Sequence, residues 1–329
     1  MTTGIDLPLD CLGDNDVMAD YLELTAALSE DGRSSVADIV NAADIEAESE
    51  YESVSDEIQG HEAVADAALR RIVTRVRALG AAYPFELDPR GGILSLNADT
   101  LDLPKTAYLL SLLLANFRSV SPLLQDYPRY PSEEEQMSLR RQFQYFATAA
   151  VAGEIGGSAW SFGFPRPDGS GFVAKLEDIW LRVKDGVVGA DGSAPRNPKD
   201  DGIDVVAWRE TSDGLPGFLF VAAQVATGKD WKSKSIRSSV NNVFKRRWFT
   251  REPVTEMVVY HVIPFALADE GFRDDVLVVG NLLHRLRVPR RVAEAEKLVE
   301  LGRIDVEAFG KLDETRTWIQ TFIEEARAA

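Results

Sequence analysis

The sequence predicts an α/β fold, a mixed sheet flanked by helices, with a mostly helical domain in front of it. Three observations carry this. Residues 202–208 (GIDVVAW) and 218–225 (FLFVAAQV) are apolar, β-branched runs joined by SDGLPG, whose Gly and Pro suit a hairpin turn. Residues 257–265 (MVVYHVIPF) make a third such run. Around them lie segments with apolar residues at helical spacing, at 61–81, 133–153, 172–183 and 292–329. With 329 residues, 45% of them hydrophobic, the chain can bury a large core and is expected to form two domains, 1–130 and 131–329.

In chain order, residues 17–28 and 35–43 read as short helices, the second capped by Ser34 or Ser35. Residues 45–60 are acidic and poor in apolar side chains, which reads as a linker or exposed segment. The helix at 61–81 is closed by Gly80, and its arginines 70, 71, 75 and 77 are assigned to a solvated face. Residues 83–97 read as two short strands around DPRGG, and 103–124 as a buried helix. PRYP at 128–131 is the expected domain boundary. Ser132 with Glu135 three residues on is a capping box that opens the helix at 133–153. Residues 184–200 are polar and rich in Gly and Pro, hence a loop. Residues 229–251 read as one basic helix capped by Asp230, 276–279 as a fourth short strand, and 281–291 as a second basic cluster. The last stretch is amphipathic, with Trp318, Phe322 and Ile323 on its apolar side.

The net charge of −17 speaks against nucleic acid only until its distribution is read. Residues 1–66 hold eighteen acids and one base, Arg33, so they carry the whole imbalance and the rest of the chain is neutral. Within that neutral remainder, residues 229–251 hold eight bases and one acid, with Trp231, Phe244, Trp248 and Phe249 interleaved. Such a segment suits phosphate contacts, where bases displace counterions from nucleic acid. It equally suits packing on the acidic N-terminal region of the same chain, and the two arrangements could alternate. One cysteine, Cys11, excludes a disulfide framework and a Cys-rich zinc site. The three histidines, 61, 261 and 284, lack metal-ligand spacing, and His261 reads as a core residue. No apolar run approaches the roughly 20 residues of a spanning helix, and the first ten residues lack a basic leader. The expectation is a soluble, cytoplasmic protein with no membrane partner.

Asp204 and Gln224 are the single acid and the single amide in two otherwise apolar strands, and burying them costs several kcal/mol unless something satisfies them. A metal ion or a hydrogen-bonded site at the strand ends would do so. An acid on one strand, a hairpin, then Glu or Gln, one residue and Lys on the next resembles the PD-(D/E)xK (restriction-endonuclease-like) nucleases. Asp204 matches the metal-binding Asp and Gln224 the Glu/Gln position, while Ala226 stands where the lysine belongs. Lys229 and Lys232, just beyond, are the candidates to replace it. The resemblance covers residues 140–265 or so. It implies a restriction-endonuclease-like mixed sheet, metal ligation by Asp204 and Gln224, and a catalytic cation at Lys229. A preceding helix can add an acid in this family, which makes Glu154 and Glu177 candidates. Asp200 and Asp201 form either a further acid cluster or an ordinary turn.

The expected function is a nuclease dependent on Mg²⁺ or Mn²⁺, an endonuclease acting on DNA, with RNA left open. Lys232, Lys234, Arg237, Lys245, Arg246 and Arg247 would hold the phosphates. The resemblance further implies bacterial restriction or anti-phage (antiviral) defence beside an ATPase or sensor subunit, with homo-oligomers open. From a different class, a catalytically inactive nuclease-like module would bind nucleic acid or scaffold a larger complex.

Overall fold

A computed structural model describes residues 5, 7–8, 11, 13–47, 54–88, 90, 92–190, 192, 194–195, 199, 201–267 and 269–328; for 42–47 and 54–62 it describes the backbone course alone. The chain is a mixed α/β protein built on a five-stranded mixed sheet with helices on both faces. It begins with α1 (Asn15–Leu28), whose first N–H groups are held by the Asp14 carboxylate. Then follow β1 (Arg33–Ser35), α2 (Val36–Ala47) and α3 (Val54–Leu79). The expected linker at 45–60 is therefore partly helical, α3 starting seven residues before His61, while residues 48–53 lie outside the described set. The two strands expected around DPRGG are β2 (Phe85–Asp88) and β3 (Ile93–Leu96), and with β1 they form a small antiparallel sheet in the order β1-β3-β2.

Helix α4 (Leu103–Ala115) stops nine residues earlier than the apolar pattern suggests, because Asn116 caps it and 117–131 turn back over its end. Helix α5 (Glu133–Ile155) opens on the capping box of Ser132 and Glu135 and ends at Gly156, in the left-handed conformation. Strand β4 (Ser158–Ser161), α6 (Phe172–Val183), the short β5 (Val187–Val188), β6 (Val205–Arg209) and β7 (Leu219–Val225) follow.

The basic stretch is not a single helix. It runs as a 3₁₀ turn at Trp231–Lys234, a π turn at Val240–Phe244, the single α turn α7 (Lys245–Trp248) and then β8 (Phe249–Arg251), which pairs with β5. Ser and Asn at 238, 239, 241 and 242 are weak helix formers, and the buried aromatics Trp231, Phe244 and Trp248 fix the path instead. Asp230 makes no capping bond.

Strand β9 (Met257–Val262) precedes α8 (Phe272–Val279), so the apolar 276–279 is the end of a helix and not a strand; a four-residue apolar run does not distinguish the two. The strand comes next, as β10 (Asn281–Leu283), and the C-terminal stretch is two helices, α9 (Val288–Glu300) and α10 (Leu312–Ala328).

The central sheet has the order β10-β9-β7-β6-β4: β4, β6 and β7 form an antiparallel meander, while β9 and β10 run parallel to β7. One face packs on α5, α9 and part of α4 through small residues such as Ala147, Ala150 and Ala295. Helices α5 and α9 approach so closely that a Cβ on Gly153 would lie 1.9 Å from the Arg291 carbonyl oxygen. The other face packs on α6 and the basic segment through aromatics, with Trp160 stacked on Trp208 at 4.8 Å. The boundary expected at 130/131 is crossed by packing. Leu103, Ala107 and Leu110 of α4 belong to the core of the sheet, and Ile319, Phe322 and Ile323 of α10 to the N-terminal core.

Between the two lies a buried ionic cluster. Arg75 of α3 reaches Asp16, Asp20 and Glu23 of α1 at 2.7–2.9 Å, Arg285 reaches Asp20 at 2.5 Å, and Tyr83 and Tyr108 donate their hydroxyls to Glu23. Arg75 is 0% exposed, which corrects its assignment to a solvated face. These acids turn inward as well, so they do not cover the basic segment. Among the described residues no helix is long and apolar enough to cross a membrane.

Candidate active site at the edge of the mixed sheet

The antiparallel register of β6 and β7 pairs Val205 with Ala223, and Asp204 continues the ladder, its N–H donating to the Ala223 carbonyl. This sets Asp204, at the entrance of β6, beside Gln224, near the exit of β7. The two turn to the same face as the aromatic core, since Val206 and Ala222, two residues away on each strand, lie in that core. The Asp201–Gly202 turn, both residues left-handed, delivers the chain to this position. Asp201 itself is used by the turn, receiving Arg247 at 2.8 and 3.0 Å and the Trp248 indole N–H at 2.7 Å. That supports the turn reading of the acid pair; Asp200 lies outside the described residues.

Asp204 is 8% exposed, and its Oδ2 accepts the Gln224 Nε2–H at 2.5 Å and the Val225 N–H at 2.8 Å. On its other side stands Gly163, just after β4: a Cβ there would be 2.3 Å from Asp204 Oδ1 and 2.7 and 2.9 Å from the two amide atoms of Gln144. Glycine thus lets the carboxylate and the Gln144 amide pack directly against the backbone at 163. Gln144, from α5, donates to Ser161 Oγ at 2.6 Å, and the Ser161 N–H donates to Glu307 at 3.0 Å. Glu307 also receives the ammonium of buried Lys175, which Asp168 holds from the other side at 2.8 Å. Burial raises the Glu307 carboxyl above its ordinary value despite Lys175. Asp168, half exposed, is lowered by its bonds from Lys175 and Ser170 against a partial burial that acts the other way.

The sequence reading missed Gln144, Ser161, Lys175 and Glu307. They come from four segments, helix α5, strand β4, helix α6 and the loop between α9 and α10, and the one local cue was a polar Gln and Ser inside apolar patterns.

The other expected site residues divide. Glu154 lies on the opposite face of the sheet, within 3.3 Å of the Tyr260 hydroxyl and of Arg291 Nε, and Glu177 is on the exposed side of α6. Neither joins Asp204, and among the described residues no three His, Cys, Asp or Glu side chains gather as a metal site. Ala226 is 2% exposed among Trp231, Ile263, Val279 and Leu282, so the lysine position is sealed in apolar packing. Lys229 is exposed in the turn after β7, while Lys232 pairs with Asp275 at 2.5 Å.

Lys234 and Arg246 are exposed, and Arg237, exposed too, donates to the carbonyl of Leu277. Lys245 is 2% exposed, with its ammonium on the Thr255 and Pro253 carbonyls, so it fastens the segment and offers no surface charge. Arg247 is likewise engaged by Asp201. Both depart from the expected phosphate-binding role. His261, paired in register with Gln224, is fully buried and neutral, its pKa pushed down to about 4 by burial and then by the charge of Lys234.

One carboxylate and two amides are the side chains near which a hard divalent ion would have to bind. Mg²⁺ binds through one or two carboxylates, keeps several waters and completes its shell on substrate phosphate. Asp204 supplies the carboxylate here, while the amides of Gln224 and Gln144 turn their nitrogens to Asp204 and to Ser161 Oγ and would each offer an oxygen only after rotating. Comparison with protein-family models, curated proteins and solved structures found no match to this chain.

Proposed function

We propose that this chain is a divalent-metal-dependent nuclease of the PD-(D/E)xK type, acting on DNA. The observation that carries the reading is the adjacency of Asp204 and Gln224 at one edge of a mixed sheet, within hydrogen-bond reach and fixed by strand register. The order of elements supports it: helix α5, the meander β4-β6-β7, an irregular crossover, then β9 parallel to β7. Asp204 and Gln224 would hold Mg²⁺ or Mn²⁺, with Gln144 beside Asp204 against Gly163. When bound, the ion supplies water activation and charge stabilisation at the phosphorus.

This chain's own groups do the rest. Gln224 Nε2 and the Val225 N–H orient the Asp204 carboxylate and keep it at the strand mouth. Lys229, exposed at the turn that leaves β7, supplies the cation that stabilises developing negative charge. Lys234, Arg237 and Arg246 face solvent on the same crossover and hold the backbone phosphates. A cell-defence role beside an ATPase or sensor subunit belongs to the same proposal.

One observation favours a second reading. With Ala226 sealed in apolar packing where a lysine is expected, the same fold serves as a catalytically silent nucleic-acid-binding or scaffolding subunit.

Incubating plasmid DNA and RNA with the protein in Mg²⁺, Mn²⁺ or EDTA decides between them. Metal-dependent cleavage that Asp204→Ala abolishes, and that Lys229→Ala slows about 10²–10³-fold with little loss of affinity, is the expected result. Cleavage that survives Asp204→Ala or EDTA overturns the site. Binding without cleavage in any metal selects the silent module.

A further inference from the structure

On the carboxyl edge of the parallel strands, beyond β7 from Asp204, a cavity of about 470 Å³ opens between α3, α8 and the start of α9. Ligand sites favour the carboxyl ends of parallel strands, and this volume lies within the range of small-molecule pockets, about 300–1,000 Å³. Four arginines line it, Arg71, Arg287, Arg290 and Arg291, against two acids, Glu154 and Asp269.

Two of the arginines are neutralised in place. Arg71 grips Asp16 through two bonds of 2.6 and 2.9 Å, and Arg291 stands between Glu154 and Glu294. The other two meet only neutral groups. Arg287 donates to the Leu282 carbonyl at 2.9 Å and lies 4.8 Å from the centre of the Phe272 ring. Arg290 donates to the Ala78 carbonyl at 3.3 Å. Among the described residues neither has a carboxylate at ion-pairing distance.

Two further features point to an anion. His284, 6% exposed, lines the cavity and accepts the Leu267 N–H on Nδ1 at 3.3 Å, which leaves its proton on Nε2 and makes that nitrogen a donor. Burial first, then Arg287, Arg285 and Arg71, push its pKa down to about 3, so it is a neutral donor in a positive field. Arg290 and Arg291 also stand in the first turn of α9, a 13-residue helix whose positive end adds to that field.

We propose that this cavity binds the phosphate of a nucleotide, with Arg287 and Arg290 taking the phosphate oxygens and His284 Nε2 donating to them. Phe272, Leu267 and Leu286 form the apolar wall against which the base lies. The phosphate arrives either on a free nucleotide or on the 5′ end of a strand. The site stands apart from Asp204, so it holds whether or not the protein cleaves anything.

The test is calorimetric titration of the full chain, without metal, using AMP, ADP, adenosine, and one oligonucleotide carrying either a 5′-phosphate or a 5′-hydroxyl. A phosphorylated ligand should bind about tenfold or more tightly than its phosphate-free counterpart. Arg290→Gln should weaken that binding by about tenfold or more, and Arg182→Gln, a charge-matched change on α6, should leave it unchanged. A preference among the mononucleotides assigns the site to free nucleotide; one confined to the 5′-phosphorylated strand assigns it to strand ends. If phosphate makes no difference in either pair, or if the Arg290 and Arg182 variants bind alike, the proposal is overturned.

Discussion

Two clusters of polar groups in this chain are built on opposite rules. In the ionic cluster of α1 and α3, three acids (Asp16, Asp20, Glu23) meet three arginines (Arg71, Arg75, Arg285). Tyrosine hydroxyls and the Asn116 amide add hydrogen bonds to Glu23 and Asp20, and Arg75, Asp20, Glu23 and Arg285 are buried. Around Asp204 the bonds come from an amide and a backbone N–H, Gln224 is half-buried, and only a glycine at 163 fits against the carboxylate. The first arrangement joins the helical N-terminal part to the β10–α9 connection through Arg285. The second holds a carboxylate by neutral groups with no counter-charge among those bonds. Paired charges mark a structural joint, and a carboxylate held by neutral donors at a strand mouth marks a candidate site.

The comparison breaks most sharply at Arg75. Arg75→Met leaves Glu23 without its guanidinium and Asp20 with Arg285 alone, and the expected loss is about 3–5 kcal/mol in urea or guanidinium unfolding. An unfolding midpoint within error of the parent would show that the cluster does not hold the two parts together. A pH series sharpens the same point. Burial alone would raise the Asp20 carboxyl, but Arg285 and Arg75 pull it below its ordinary value. A carboxyl lowered on folding adds stability above its unfolded pKa of about 3.9, and that stability fades as pH falls through the lower folded value. The wild type should therefore lose more stability between about pH 4 and pH 2 than Arg75→Met does.

How far the sequence reveals these clusters follows from how each is assembled. Asp204 and Gln224 are legible because a lone polar residue in an apolar strand is conspicuous, and the SDGLPG hairpin sets their register within some twenty residues. The capping box at Ser132, the helix at 172–183 and the strands around DPRGG are legible for the same reason, since each signal is local. The ionic cluster is not, because Arg75 pairs with residues more than fifty positions away and Arg285 with one 265 away. On periodicity alone, Arg75 belongs to a solvated face. The basic run misleads differently: eight cations at near-helical spacing suggest a helix, but aromatic burial bends the segment and turns Lys245 and Arg247 inward.

Tyr108→Phe tests the neutral part of the ionic cluster. The hydroxyl donates to Glu23 at 2.7 and 2.8 Å, and a hydrogen bond to a buried charge contributes about 1.5–3 kcal/mol. Tyr83 and Arg75 still hold Glu23 in the variant, so the loss should fall below that of Arg75→Met, with nucleic-acid binding unchanged. A loss equal to that of Arg75→Met would mean that hydroxyls and guanidinium act as one unit.

Gly163→Ala carries the comparison to the site. The new methyl would overlap Asp204 Oδ1 and the Gln144 amide, and overpacking of this kind costs about 1–3 kcal/mol. Any cleavage activity should fall far more than stability does, because the methyl pushes the Asp204 carboxylate and the Gln144 amide out of place. Gly171→Ala, where a methyl would meet nothing within 4 Å, is the matched control. Equal activity in the two variants would show that the placement of Asp204 against Gly163 has no part in function.

The smallest effect fixes the scale for the others. Arg182 and Asp178 form an ion pair one turn apart on α6, with both side chains nearly half exposed, and Arg182 also lies 5.1 Å from the Trp160 ring centre. It has the acid N-terminal to the base and the base in the last turn of the helix, the favourable order on both counts. Water nevertheless screens both charges, and holding two long side chains in one geometry costs entropy. Arg182→Gln should therefore cost about 0.5 kcal/mol, and most of that should vanish at 1 M salt, where the Debye length is about 3 Å. The same salt should leave the Arg75→Met loss nearly intact, since those charges are out of reach of ions. If salt instead reduces both losses in proportion, the α1–α3 cluster behaves as a surface network and the contrast with the Asp204 site fails.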